Sequence, residues 1–152
     1  MMVLTYKFRM YETKRNRHLH QRIDLAGLIW NHCLALQKRY YRMTGKYISA
    51  HRMKKHLTKL KKTERFAHFT ELGSQAVQDV AERQDKAYQR FFKWVKMREG
   101  PRCGPPTFKK VKKYKSFTLK QAGWKLPGGN RIRIQGRVYK FIKSREIDGC
   151  IK

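Results

Sequence analysis

A chain of 152 residues with 38 Lys and Arg against 10 Asp and Glu carries a formal net charge of +28, which excludes a protein indifferent to polyanions. Each phosphate that a Lys or Arg neutralises releases condensed counterions, so affinity for nucleic acid is expected at low salt. The 40% hydrophobic content argues against wholesale disorder, and no apolar run is long enough to predict a membrane span.

The first predicted element is a strand. Residues 4–10 alternate strictly, with the apolar side chains on one face and the polar side chains on the other. This is the pattern of a half-buried strand. Thr13 is predicted to cap the helix that follows, because its hydroxyl can accept a hydrogen bond from a free backbone N–H.

Three helices are predicted next. Apolar steps of three and four residues indicate a long helix over residues 16–43, which Gly45 ends. Ser49 is predicted to cap a shorter helix, and Ser74 a third helix that runs for about six turns. Between these two, residues 61–72 are predicted to form a loop or short turn. Its apolar side chains, expected to pack onto the helices, are Phe66, Phe69 and Leu72.

The character of the sequence changes at Gly100, where a Pro/Gly tract cannot continue a helix. Because the lone first strand needs neighbours to bury its apolar face, we expect it to join a sheet that forms after this tract. The strand-like segments there are residues 115–119, 124–126, 131–134, 137–142 and, around a turn at Asp148-Gly149, 143–152.

These elements predict an α+β fold, a partial, OB-like β-barrel with a three-helix module inserted after the first strand. No internal repeat is visible. The predicted bounds are residues 1–12 for the first barrel strand, 13–99 for the helical module, 100–113 for a linker rich in Pro, Gly and Lys, and 114–152 for the remaining strands.

Cysteine usage and the start of the chain indicate a compartment. Cys33, Cys103 and Cys150 are an odd number at wide spacing, which disfavours a disulfide framework and a structural zinc site. The first residues alternate without a long apolar stretch, which argues against a signal peptide. We therefore expect a reducing, intracellular compartment.

Few residues suit catalysis. Two-metal nucleases need carboxylates from several elements, whereas the best cluster here, Asp79, Glu82 and Asp85, lies on one predicted helix. Arg83 and Lys86 each follow an acid by four residues, which favours ion pairs on an exposed helical surface. The histidines show no metal-binding spacing and are predicted to lie in the core or on the surface. We expect no catalytic set, no metal site and no cofactor.

Contacts to nucleic acid are better supported. A basic run interleaved with Tyr114 consists of Lys109, Lys110, Lys112, Lys113 and Lys115. Basic side chains follow phosphates, while aromatic side chains can stack on bases or riboses. A solvated run is the alternative for the lysines. Core packing is the alternative to stacking for the flanking aromatic residues, Phe108 and Phe117.

Two further groups could contact nucleic acid. Arg131, Arg133 and Arg137 alternate on predicted strands and would form a phosphate-binding row on one barrel face. Polar residues also stand at the start of the third helix, where a glutamine could bond adenine and the helix N-terminus favours phosphate. A polar, solvent-facing helix start is the alternative. These residues are Ser74, Gln75 and Gln78.

Short strings in a fixed order resemble a known family. Residues 5–11 resemble the opening strand of the TnpB/OrfB proteins of insertion sequences. Their order over essentially the whole chain carries the resemblance. The strings that follow at the family's spacing are Trp30-Asn31, Thr44-Gly45-Lys46 and residues 57–61, 74–78, 87–93, 106–109 and 116–119.

The resemblance implies a specific function. TnpB proteins are RNA-guided DNA endonucleases, ancestral to the type V CRISPR effectors, and their N-terminal part is a wedge β-barrel interrupted by a helical recognition domain. Those domains hold the guide RNA and read a short motif in the double-stranded DNA beside the target, while base pairing reads the rest. By the resemblance, the motif-reading positions are Ser74, Gln75, Gln78 and Thr118.

The family's RuvC-like nuclease domain, with its Asp/Glu/Asp set, zinc ribbon and Mg²⁺, has no counterpart in this sequence. We therefore expect the nucleic-acid-binding N-terminal part of a TnpB-like transposon-encoded endonuclease, which binds guide RNA and target-adjacent DNA and does not cleave alone. One alternative is half of a split nuclease that a separate RuvC-like chain completes. Another is a general basic RNA- or DNA-binding module.

Overall fold

The computed structural model describes residues 4–148, which form an α+β fold as predicted. Helices come first in the chain and a small antiparallel sheet comes last. The α-helices are α1 (Arg17–Thr44), α2 (Ala50–Leu60) and α3 (Ser74–Met97), and the strands are β1 (Trp124–Gly128), β2 (Arg131–Ile134) and β3 (Arg137–Lys140). Short 3₁₀ helices cover Lys14–Asn16, Glu64–Leu72 and Val111–Lys113.

The end of α1 and the start of α2 follow the sequence signals. Gly45 closes α1 in the left-handed conformation, with φ of 67°, and its N–H donates to the Tyr41 carbonyl at 2.7 Å. Glycine adopts this conformation without the steric cost of a Cβ. At the start of α2, the Ser49 hydroxyl accepts a hydrogen bond from the Arg52 N–H. The predictions for Gly45 and Ser49 are confirmed.

The caps predicted at Thr13 and Ser74 are wrong. Thr13 precedes a 3₁₀ turn, but its hydroxyl donates to the side-chain oxygen of Asn16 at 3.1 Å and caps no backbone N–H. Ser74 is already the first residue of α3, and the capping position belongs to Gly73, with φ of 87°. Glycine fits there because the chain turns sharply out of the 3₁₀ helix against the side chain of Gln135.

The core lies between the three α-helices and the 3₁₀ helix Glu64–Leu72. Phe69 and Leu72 from that 3₁₀ helix are buried, as predicted for residues 61–72. Tyr114, which follows the linker, belongs to the same cluster and anchors the later chain on the helices. The largest fully buried side chains are Ile29, Cys33, Leu34, Leu57, Leu72 and Val80.

The sheet has the order β1-β2-β3, with antiparallel neighbours. Gln135 and Gly136 connect β2 to β3 as a two-residue turn in which both residues have positive φ, 46° and 84°. Tyr139 of β3 and Phe141, which follows β3, are both buried. Phe8 of the N-terminal segment packs on Phe141, with ring centroids 5.1 Å apart. The sheet is therefore covered on one side by the start of the chain.

The predicted first strand reaches the later sheet at a single point. Met10 forms an isolated bridge with Phe141, flanked by two backbone hydrogen bonds. The expected neighbour is therefore right, but a regular strand over residues 4–10 is wrong, because ring packing and not a ladder holds the segment. Residues 4–148 thus contain an open three-stranded sheet.

Two further predicted strands are not formed. Residues 115–119 are irregular because the side chains of Ser116 and Thr118 accept hydrogen bonds from Arg83 and hold the segment along α3. Residues 143–148 are also irregular. The rest of that last predicted strand, with Gly149 of its turn, lies outside the described residues.

Candidate nucleic-acid interface

A groove lined by cations runs between α3 and residues 109–116. Its volume is about 480 Å³, and none of the described residues that line it is acidic. We call it the basic groove. Its cationic lining residues are Arg83, Lys86, Arg90, Lys109, Lys113 and Lys115.

Side chains of α1 hold one wall of the basic groove in place. Trp30 Nε1 donates to the Thr107 carbonyl at 3.1 Å. The Asn31 side-chain amide donates to the Lys109 carbonyl at 2.8 Å and accepts from the Lys109 N–H at 2.9 Å. An amide offers one donor and one acceptor side by side, as a neighbouring strand would. Asn31 therefore fixes the backbone of this wall to the helix.

The floor of the basic groove is aromatic but closed. Trp30 and Tyr114 are only 5% and 6% exposed, with ring centroids 6.2 Å apart. The Lys109 ammonium lies over both rings, 4.8 Å from the Trp30 centroid and 5.6 Å from that of Tyr114. These cation–π contacts occupy the ring faces. Tyr114 is therefore not available for base stacking, contrary to the sequence interpretation, and the groove suits phosphates.

The two aromatic residues that flank the lysine run differ in environment. Phe117 is half-buried and packs against the core. Phe108 is 54% exposed, and the Lys38 ammonium lies 4.8 Å from its ring centroid. Core packing is therefore the outcome for Phe117, while Phe108 remains on the surface.

α3 supplies the opposite wall. Arg83, Lys86 and Arg90 recur at steps of three and four residues and so lie on one helical face. The Arg83 guanidinium is fixed by Asp79, at 2.6 Å and in the predicted ion pair, and by the Ser116 carbonyl at 3.0 Å. Sequence reasoning did not place these three cations in the interface. Their spacing along a predicted helix is the signal that could have found them.

The predicted lysine run is divided by the structure. Lys109 and Lys113 line the basic groove. Lys110 is exposed and outside that lining. Lys112 turns back to α1, where its ammonium lies 3.0 Å from the Asp24 carboxylate. The helical backbone of Val111–Lys113 points neighbouring side chains in different directions, so the run serves two purposes.

A second cationic surface lies on the sheet. Arg131 is opposite Lys140 across β2 and β3, and Arg133 is opposite Lys125 across β1 and β2. Directly opposed residues of antiparallel strands share a face. All four side chains are exposed, and we call this group the cationic sheet face. Arg131 and Arg133 thus project together as predicted, joined by two lysines that sequence reasoning missed.

Arg137 does not belong to this row, and the prediction that it does is wrong. It lies opposite Ile134, a buried residue, and so shares the other face. The prediction carried the alternation straight through the connection at residues 135–136. A two-residue turn instead sets residue 134 against residue 137, which shifts the alternation by one position.

The residues predicted to read a DNA motif lie at two places along α3. Ser74 and Gln78, in its first two turns, are exposed, and Gln75 is half-buried. Thr118 accepts a hydrogen bond from the Arg83 guanidinium at 2.5 Å, further along the helix. Thr118 is therefore already engaged by a protein partner, whereas Ser74 and Gln78 are accessible.

The carboxylates of α3 connect elements of the fold. The predicted ion pair between Glu82 and Lys86 is not formed. Glu82 pairs instead with Lys120 and Lys54, whose hydrogen bonds lower the pKa of Glu82 to about 2. Asp85 accepts a hydrogen bond at 2.7 Å from a tyrosine of the α1–α2 connection. Glu82 and Asp85 therefore join α3 to other parts of the fold, and the prediction of an exposed, ion-paired helical surface is wrong for them.

Comparisons with known proteins were made for the whole chain. A scan against protein-family models finds no matching family, and a search of curated proteins finds no matching sequence. Within residues 4–148, no three His, Cys, Asp or Glu side chains lie together so that they could hold a metal ion. None of the helices described there is long and apolar enough to cross a membrane.

Proposed function

We propose that this protein binds structured RNA through the basic groove. The observation that carries the proposal is the lining, with six Lys and Arg side chains and no acidic one among the described residues. Such a concentration of cations attracts phosphate oxygens, and two basic walls suit a backbone that passes between them. The floor is already filled by Lys109, so contact is made to the backbone and not to base faces.

We further propose that the protein is the nucleic-acid-binding part of a TnpB-like RNA-guided DNA endonuclease and does not cleave by itself. A contact supports this, because Trp30-Asn31 holds the backbone of residues 107–109, and both strings carry the resemblance. Its partners would be a guide RNA and target-adjacent double-stranded DNA, in a bacterial or archaeal cytoplasm. The open sheet would be part of an OB-like wedge barrel.

Motif reading is assigned to the start of α3. Ser74 and Gln78 are exposed there, and a glutamine amide can make paired hydrogen bonds with adenine. Gln75 lies between them and is half-buried. Thr118 would contribute less, because Arg83 already donates to its hydroxyl.

A second candidate function is general, sequence-independent binding of RNA or DNA. The closed aromatic floor favours it, since phosphate contacts alone carry no sequence information. The two functions differ in one measurable respect. A guide-binding protein prefers one structured RNA, whereas a general module binds unrelated RNAs of equal length equally well.

The test compares two charge-matched variants. Lys86→Gln, Arg90→Gln and Lys113→Gln together neutralise three groove cations, and the control neutralises three exposed lysines of α2 and the residues after it. We expect the groove variant to lower the salt slope of RNA affinity by about 3 and the control to change it little. The control substitutions are Lys55→Gln, Lys59→Gln and Lys62→Gln.

Affinity is measured by filter binding between about 50 mM and about 200 mM salt, where we expect a loss of about a thousandfold for the wild-type protein. If the salt slope of RNA affinity falls equally in the two variants, the basic groove is not the RNA-binding site. Cleavage of DNA by the purified chain with Mg²⁺ present would contradict the non-cleaving role.

A further inference from the structure

We propose that Gln135 is a positioning residue, a latch that holds the cationic sheet face in a fixed arrangement with the basic groove so that one RNA engages both. The inference rests on the proposed function, because it concerns how two surfaces cooperate in binding. Gln135 lies in the turn between β2 and β3, and its Nε2 donates to the Leu72 carbonyl at 2.7 Å. Among residues 4–148, this is the one hydrogen bond that joins the sheet and its turns to the helices.

The turn between β2 and β3 has a residue at its first position that such turns do not favour. Gln135 and Gly136 both have positive φ, 46° and 84°. Two-residue turns of this kind favour Asn, Asp or Gly at the first position. An Asn there would suit the backbone better, but its side chain is one methylene shorter and would not span the distance to Leu72. A residue that departs from local preference while making a tertiary contact indicates a role beyond the turn.

The residues around Gln135 accommodate its side-chain amide. The Gln135 N–H donates to the Gly123 carbonyl at 2.8 Å, which ties the turn to the start of β1. A Cβ on Gly73 would overlap Gln135 Nε2, so the residue before α3 has to be glycine for the latch to close. Gln135 Oε1 is buried and has no hydrogen-bond partner among the described residues. Unpaired buried polar atoms are rare in folded proteins. This one is explained if the amide is held in place by the hydrogen bond from its Nε2 to the Leu72 carbonyl.

The latch joins the elements that carry the two basic surfaces. Leu72 and Gly73 lead directly into α3, which carries Arg83, Lys86 and Arg90 of the groove wall. On the other side, β2 ends at the latch and carries Arg131 and Arg133. When one surface holds RNA, the second surface of a rigid body meets it at a high effective concentration, which falls when the two can reorient. Breaking the latch should therefore lower affinity without removing any cation.

The test is Gln135→Asn, measured with an RNA hairpin of about 20 base pairs. We expect its affinity to fall by about tenfold in the otherwise wild-type protein. In a protein in which the four cations of the cationic sheet face are also replaced by Gln, the same substitution should change affinity less than about twofold, because only one surface remains to be aligned. These additional substitutions are Lys125→Gln, Arg131→Gln, Arg133→Gln and Lys140→Gln. Gln121→Asn, at an exposed position before β1, is the matched control and should have no effect.

A second variant separates the latch from the fold. Gln135→Met keeps the length of the side chain and removes the amide. It should therefore show the same loss of RNA affinity, and this loss should again disappear when the cations of the cationic sheet face are replaced. Circular dichroism establishes that each variant is folded. Equal losses in both backgrounds, or no loss with either variant, would overturn the latch and leave the proposed function standing. If the wild-type protein does not bind the hairpin, the proposed function and the latch fail together.

Discussion

His32 of α1 and His56 of α2 face one another across the helix interface. Their Nε2 atoms are 3.4 Å apart, and the ring planes differ by only 5°. One ring must donate and the other accept, so the contact requires at least one neutral ring. Phe66 and Phe69 pack edge-on against His32. Burial is the main cause that lowers the pKa of His32, helped by the charges of His56 and Arg39, and burial lowers the pKa of His56.

This pair predicts a stability that declines in acid. Both pKa values are lower in the folded protein than the unfolded value of about 6.5, so the unfolded chain binds protons more readily. Their contribution is complete above about pH 6.5 and is lost as the pH falls below it. Thermal unfolding between about pH 7.5 and about pH 5 should show the midpoint falling. His32→Gln should flatten the decline, and His51→Gln, on the exposed surface of α2, should not. A pH-independent midpoint in the wild-type protein would contradict the assignment.

Residues 107–120, which are irregular apart from the 3₁₀ helix Val111–Lys113, pack along α1 and α3 as one further element of the fold. α1 holds its beginning through Trp30 and Asn31, and α3 holds its end through Arg83. Tyr114 anchors its middle in the core. The segment thus takes several of its backbone hydrogen bonds from side chains of two helices, where a strand would use a neighbouring strand. Its position, and with it one wall of the basic groove, is set by those side chains.

Asn31→Ala should release this wall while the helices remain intact. Two hydrogen bonds to Lys109 are lost, each contributing about 1 kcal/mol, so local opening should become about thirtyfold more frequent. Trypsin cleavage after the lysines of residues 109–115 reports this opening directly, and RNA affinity should fall in parallel. Gln21→Ala, exposed on the same helix, is the control. Unchanged cleavage in Asn31→Ala would show that other contacts are sufficient.

Across the whole molecule, three of the ten acids join separate parts of the fold. Asp24, Glu82 and Asp85 each bond to a side chain of another element. A net charge of +28 on 152 residues destabilises the compact state through self-repulsion. Carboxylates placed between elements offset that repulsion where the chain must pack. The surface that results is cationic and suited to a polyanion.

Glu82→Gln tests this arrangement. Glu82 joins Lys54 of α2 to Lys120 after the linker, so its neutralisation should lower the unfolding midpoint by about 3 °C at neutral pH. The pKa of Glu82 is lowered to about 2, so this contribution is present above pH 4.5 and lost as the pH falls toward 2. The difference between the two proteins should therefore disappear in strong acid. Glu12→Gln, in an ion pair whose side chains are 78% and 88% exposed, should have no effect at either pH.

Local patterns predicted the helices well and the strands less well. The period of α1, its end at Gly45 and the cap at Ser49 depend on residues within a few positions of one another, and all three are confirmed. The strand predicted at residues 115–119 is wrong because Arg83, a distant residue, supplies its hydrogen-bond donors. Alternation alone cannot show whether a partner strand or a helix lies alongside.

The candidate site divides in the same way. Excess positive charge is a sum over the sequence and needs no fold, so composition alone determined it, and with it the expectation that polyanions bind. Which cations converge was decided by tertiary structure, since Arg83 and Lys113 line one groove only when residues 109–116 fold back on α3. The same folding closed the aromatic floor under Lys109 and set Gln135 against Leu72. Such contacts join residues far apart in the chain, and no local pattern encodes which distant side chain will fill a given space.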